Sequence, residues 1–191
     1  MSVAAAGRPL SAFAGELLAR VQQNLIEEGG VPGRGAFGRV VQEALAVALR
    51  SIDPEMHDNR GAGTPDCWCR LGARRCACEI KYTDDGEVTL GERDVEGMQL
   101  GGEAEGARLI VLDIAFPARL WILDAVAMVP GDLRPAAHAH LHQADEAERL
   151  GERLESLLRL ADVDLIGSEN EAKEVLAGAA ARLRPAPSSP R

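Results

Sequence analysis

Aromatic side chains are nearly missing: three Phe, two Trp and one Tyr in 191 residues. Leu, Val, Ile and Ala must therefore build the core, and they are plentiful, since 46% of the chain is apolar. That fraction excludes an intrinsically disordered chain. No apolar run approaches the roughly 18 residues that a membrane helix needs, so no spanning segment is expected. The opening stretch, MSVAAAGRPLSAFAG, lacks a basic region followed by a long apolar core. It reads as no signal peptide, and hence as a cytoplasmic protein. Internal repeats and low-complexity tracts are also missing. The length suits a single domain that can bury a core without staples.

Lysine is scarce too. There are nineteen Arg and only two Lys, Lys81 and Lys173. In a chain biased towards Arg, a Lys marks a place where Arg does not substitute. The formal charge of −9 argues against non-specific binding of nucleic acid over the whole surface. The charge is unevenly spread. Residues 1–82 carry ten basic and nine acidic side chains, and residues 83–191 carry eleven and twenty-one. An anionic partner should meet the first half.

The pattern of elements is helix, helix, hairpin, short helix, two strands, helix, helix. LSAFAGELLARVQQNLIEEGG reads as a helix capped by Ser11 and stopped by Gly29-Gly30. Phe37, Val40, Val41, Ala44, Leu45 and Ala48 form a helical stripe that Asp53-Pro54 ends. DCWCRL and CACEIKYT alternate around GARR as a β-hairpin. A short helix is expected from about Gly91 to Leu100. ARLIVLDIAF and ARLWILDAVAMV read as strands joined at Pro117. Leu150, Leu154, Leu157, Leu158 and Ala161 mark an amphipathic helix, and Ser168 with Glu171 forms a capping box for the last one. Residues 185–191, PAPSSPR, read as a disordered tail. Helices before and after a mixed sheet point to an α/β or α+β sandwich.

The hairpin carries the chemistry. Side chains alternate faces along a strand, so Glu79 and Lys81 share a face, with Cα atoms roughly 6.5–7 Å apart. Asp66 begins the partner strand and falls near them across the ladder. Two carboxylates at such spacing can hold a divalent cation through hard oxygen ligands, and Mg²⁺ typically takes one or two carboxylates plus water and substrate phosphate. A compact, titratable lysine beside the cation can orient or deprotonate an attacking water, which Arg cannot.

GTPD, twelve further residues and then EIK resemble the PD-(D/E)XK nuclease superfamily, with restriction-endonuclease-like and Holliday-junction-resolvase-like members. The residues that match are Pro65, Asp66, Glu79 and Lys81. The likeness is closest over residues 35–83, and the element order extends it to about residue 127. It implies an α/β fold: a restriction-endonuclease-like αβ sandwich with a mixed central sheet of about four to five strands flanked by helices. It implies a Mg²⁺-dependent nuclease, with Mn²⁺ as a substitute, hydrolysing phosphodiester bonds in DNA. Asp66 and Glu79 would be metal ligands and Lys81 the catalytic lysine. Glu43, on the preceding helix, matches the place of a further acidic residue, and Gln99 that of a glutamine after the lysine strand. One nuclease-like domain is expected over residues 1–184, with its motif core at about 35–127 and C-terminal helices at about 143–184. Arg39, Arg60, Arg70 and Arg74, with Arg34 and Arg75 beside them, could form a local phosphate track.

Two other readings stay open. The fold could serve as a catalytically inactive binding or assembly module, with the acidic helices at 143–184 suiting a partner or a homodimer. The four cysteines, Cys67, Cys69, Cys76 and Cys78, could instead organise a metal-structured regulatory protein around zinc or an Fe–S cluster. By parity all four face away from Glu79 and Lys81, into the core, where a free Cys behaves as a small hydrophobe. C-x-C in a strand departs from the C-x₂₋₄-C spacing of zinc loops, and same-face positions are expected to hold the sulfurs too far apart for one ion. Disulfides belong to oxidising compartments. The alternate His138, His140 and His142 read as a loop entering a helix rather than a metal site, and His57 as a solvated loop residue.

Overall fold

The computed structural model describes residues 7–29, 34–59, 64–99 and 104–183. Arg60, Leu100 and the tail at 185–191 lie outside the described residues. In chain order the elements are β1 (Arg8–Pro9), α1 (Ala12–Gly29), α2 (Arg34–Arg50), β2 (His57–Asp58), β3 (Cys67–Leu71) and β4 (Arg74–Thr83). There follow β5 (Val88–Leu90), α3 (Glu92–Gln99), β6 (Gly106–Asp113), β7 (Arg119–Asp124), β8 (Gly131–Leu133), α4 (Ala144–Leu160) and α5 (Glu169–Arg182). Short 3-10 turns occupy Pro135–Leu141 and Val163–Leu165.

Local chemistry sets the helix ends. The Ser11 hydroxyl accepts the Ala14 amide at 3.3 Å, the N-cap that starts α1. At α5 the Glu171 amide donates to the Ser168 hydroxyl at 3.3 Å, and Glu171 Oε2 accepts from that hydroxyl and from the Gly167 amide, each at 3.0 Å. This closes the capping box that Ser168 and Glu171 announce in the sequence.

The main sheet is mixed and has six strands, ordered β1-β7-β6-β4-β3-β2. Among the described residues only β4 and β6 run parallel, and the crossover between them carries β5 and α3. The sheet exceeds the expected four to five strands because β1 and β2, two residues each, add to its edges. Pro9 fits there, since a missing N–H is tolerated on an edge strand. β5 and β8 form a separate two-stranded sheet.

Alternation along the central strands divides the core in two. Ile110, Leu112, Leu120 and Ile122 face a layer built from α1, α2, α4 and α5, where Phe37, Val41, Leu45, Leu150, Leu154 and Leu157 are buried. Leu109, Val111, Trp121 and Leu123 face the other way and pack on Val95 and Met98 of α3 and on the small sheet. Each fully buried Leu such as Leu45 contributes about 1.5–3 kcal/mol. A strand whose successive side chains enter these two layers has one face for each kind of chemistry.

Candidate active site

β3 and β4 pair in antiparallel register, Cys67 opposite Cys78 and Cys69 opposite Cys76. The turn between them needs Gly72, whose φ of 61° lies in the left-handed region. The four cysteines and Ile80 enter the four-helix layer and are buried. Glu79 and Lys81 alternate with them and therefore face the α3 side. The parity expected from the sequence holds.

Asp66 stands just before β3, where the ladder to β4 has ended. Its Oδ2 accepts the Ile80 amide at 2.8 Å. Two long hydrogen bonds from Gln42 of α2 reach the same place, to Asp66 Oδ2 at 3.5 Å and to the Ile80 carbonyl at 3.4 Å. The Asp66 carbonyl accepts the Asn59 amide at 3.0 Å. Asp66 is thereby fixed where the β3–β4 ladder ends, on the amide of the residue that follows Glu79.

Glu79 is only 5% exposed. Its Oε1 lies 2.8 Å from Lys81 Nζ, and the same Nζ lies 2.8 Å from Asp94 Oδ2 on α3. Burial, with the Asp66 charge adding to it, pushes the Glu79 carboxyl up to about 7 against the pull of Lys81. Burial also raises Asp66, partly offset by the Ile80 hydrogen bond. Burial would lower Lys81, but its bonds to Asp94 and Glu79 outweigh this and raise it. Asp94 moves down, because the Lys81 bond overcomes the cost of its burial.

Asp94 was not among the residues expected from the sequence. Its local signal is Gly91-x-x-Asp94 at a helix start: Asp94 Oδ2 accepts the Gly91 amide at 2.9 Å, half of a capping box. That signal places Asp94 on the first turn of α3 but says nothing of Lys81. The contact depends on how closely α3 lies over the segment before β3. A Cβ on Gly97 would stand 2.7 Å from the Thr64 carbonyl carbon and 2.9 Å from the Pro65 nitrogen.

Glu43 is placed differently. It lines a cleft of about 320 Å³ between α2 and α5, together with Gln42, Asp66, Cys67 and Lys173. Glu79 and Lys81 project from the opposite face of β4. Among the described residues no three carboxylates bring oxygens within 4.8 Å of one another. The expected set of Asp66, Glu79 and Glu43 therefore does not close into a three-carboxylate cage, because the sheet stands between Glu43 and Glu79. The Gln99 amide donates to the Met128 carbonyl at 3.2 Å.

The arginines are spread. Arg39 pairs with Glu169 at the cleft. Arg70 and Arg74 are exposed at the turn end of the hairpin, four or more residues from Asp66, and about 3.4 Å per residue puts them roughly 14 Å away. Arg60 lies outside the described residues. His57 is exposed on β2. The His138 and His140 rings stack at 6.3 Å, whereas His142 turns away to pack edge-on against Trp121.

The sulfurs are closer than expected. Those of Cys67, Cys69 and Cys78 all lie within 4.8 Å of one another, with Cys69 and Cys78 at 3.4 Å. Cross-strand neighbours approach more nearly than same-strand ones, and it is the pairing of β3 with β4 that gathers them. Cys76 stands apart, its sulfur 3.7 Å from the Arg74 carbonyl. Hydrogen bonds with Cys67 and Cys78 lower the Cys69 thiol, whereas hydrogen bonds with Cys67 and Cys69, together with burial, raise the Cys78 thiol.

No helix among the described residues is long and apolar enough to cross a membrane. The chain matches none of the protein-family models and none of the curated proteins compared with it. Among solved structures it is similar to Hjc of Archaeoglobus fulgidus, a Holliday junction resolvase from an archaeal hyperthermophile. The identity is 18%, the match covers 58% of this chain and 95% of that one, and the TM-score is 0.45.

Proposed function

We propose that the protein is a divalent-metal-dependent nuclease that hydrolyses phosphodiester bonds in DNA at Asp66, Glu79 and Lys81. The observation that carries this reading is the pairing of Glu79 and Asp94 with the single ammonium of Lys81, with Asp66 fixed on the amide of Ile80 between Glu79 and Lys81 in the strand. With Glu79 ionised, as a bound cation would hold it, three carboxylates against one ammonium leave a formal charge of −2 in a largely buried place. Hard oxygen donors with that excess charge fit Mg²⁺ or Mn²⁺, which needs only one or two protein carboxylates.

Asp66 and Glu79 would hold the cation. When bound, it would polarise a phosphoryl oxygen and lower the pKa of a water. Lys81 would orient the attacking water and offer its charge to the phosphoryl oxygens as negative charge builds there. Asp94 would hold Lys81 in place, and Gln42 with the Ile80 amide would hold Asp66. Glu43 would act at a remove, from the α2 wall of the cleft. DNA would be met by Arg39 at the cleft and by Arg70 and Arg74 at the hairpin turn rather than by the surface as a whole, since the chain is acidic.

The test is incubation of purified protein with supercoiled plasmid and with a single-stranded oligonucleotide, in Mg²⁺, in Mn²⁺ and in chelator. Cleavage in metal, lost in chelator and in Glu79→Ala, is expected. Absence of cleavage of both substrates in both metals would overturn the nuclease reading and leave the binding-module alternative, which a DNA-retention measurement then examines.

A further inference from the structure

The proposed chemistry makes no use of the sulfurs. Three of them meet from two strands: Cys67 and Cys69 on β3, and Cys78 on β4, all within 4.8 Å and all at most 1% exposed. A cation with bonds of about 2.3 Å to sulfur spaces its thiolates by roughly 3.8 Å. The 3.4 Å between Cys69 and Cys78 and the 4.8 Å limit for the trio bracket that value. The donors sit on a ten-residue strand and its paired neighbour, in the middle of the main sheet, so their spacing is held by the ladder.

Cys67 lines the cleft between α2 and α5, beside Asp66 and Ile80, so the trio borders that cleft although the sulfurs themselves are covered. Among the described residues this is the one group of three soft or hard donors close enough to share an ion.

We propose that Cys67, Cys69 and Cys78 form a binding site for a thiolate-seeking d¹⁰ cation, Zn²⁺ or Cu⁺, with three protein sulfurs and the remaining coordination position towards the α2–α5 cleft. Soft thiolates select these ions over the hard cations that carboxylates hold. The thiol protons leave to solvent as the ion enters, so binding strengthens as pH rises. Cys76 takes no part, since its sulfur lies outside the trio. The ion would tie β3 to β4 next to Asp66, joining a soft site on one face of the hairpin to the carboxylates at its end. Asp66 and Glu79 are not needed for it, so the site stands whether or not the protein cleaves DNA.

The experiment uses the full chain, reduced and purified without added metal. Zn²⁺ and Cu⁺ are each titrated against a chromophoric competitor, and the loaded protein is examined by X-ray absorption at the metal edge. One equivalent of at least one of the two ions is expected, with a shell of three sulfurs. Chelation should lower the melting temperature of the loaded protein. Cys76→Ala should bind as the parent does, and Cys69→Ser and Cys78→Ser should not. The absorption spectrum of the parent decides the matter even if a serine variant fails to fold. Failure of both ions to compete, a shell of nitrogen and oxygen, or loss of binding in Cys76→Ala would overturn the site and leave four core thiols.

Discussion

Asp66 Oδ2 accepts the backbone amide of Ile80 at 2.8 Å, at the point where the β3–β4 ladder stops. The Ile80 amide has no β3 partner there, and a side chain supplies one. This separates two roles of one carboxylate. Asp66→Asn keeps an oxygen for the amide but removes the charge, so it should melt close to the parent and lose cleavage at least about 100-fold. Asp66→Ala should lose both, because an orphaned buried amide costs about 1–3 kcal/mol. Thermal melts beside a plasmid assay read the two apart. Parental cleavage by Asp66→Asn would remove Asp66 from the site.

Lys81 is held from two sides, by Glu79 and Asp94. Lys81→Arg retains the charge but cannot reproduce a compact ammonium between two carboxylates. It should be nearly inactive while DNA retention is unchanged. Asp94→Asn weakens one charge-assisted hydrogen bond and should slow single-turnover cleavage by about tenfold. If Lys81→Arg cleaves like the parent, the lysine serves only as charge.

Glu79 gives a pH signature of opposite sign to an ordinary surface carboxylate. Its pKa is about 7 in the folded protein against 4.5 for the free group, so the folded state binds the extra proton between those values. The resulting stability is complete below about 4.5 and disappears as pH rises through 7. The shift corresponds to something on the order of 3 kcal/mol. Glu79→Gln carries no such proton. Its stability advantage over the parent should widen from pH 5 to pH 8 in urea unfolding without metal, and Mg²⁺ should narrow it. A gap that stays constant with pH would show that Glu79 is not strained by its burial.

Gly97 tests the placement of α3. A methyl group there meets the Thr64–Pro65 backbone at 2.7–2.9 Å, which cannot be relieved by a flexible side chain. Gly97→Ala should cost about 1–3 kcal/mol through overpacking. It should also reduce cleavage, because both Asp94 on α3 and Asp66 beyond Pro65 must shift. Unchanged melting and unchanged activity would mean that the close approach is dispensable.

The helices, the hairpin and the two later strands were legible in the sequence, because each has a period or a cap of its own: the Phe37-to-Ala48 stripe, Ser168 with Glu171, the alternation around Gly72. Parity alone placed Glu79 with Lys81 and turned the cysteines to the other face. The short strands β1, β2, β5 and β8 were not legible, since two or three residues carry no period and exist only by pairing with a neighbour. Tertiary packing decided three further matters. It brought Asp94 to Lys81 from a helix thirteen residues on, left Glu43 in the cleft across the sheet from Glu79, and drew three sulfurs to one point. The common reason is physical. A sequence states which way a side chain leaves its own backbone, but how near two backbones lie is set by what packs between them, and here a glycine and a strand register set it.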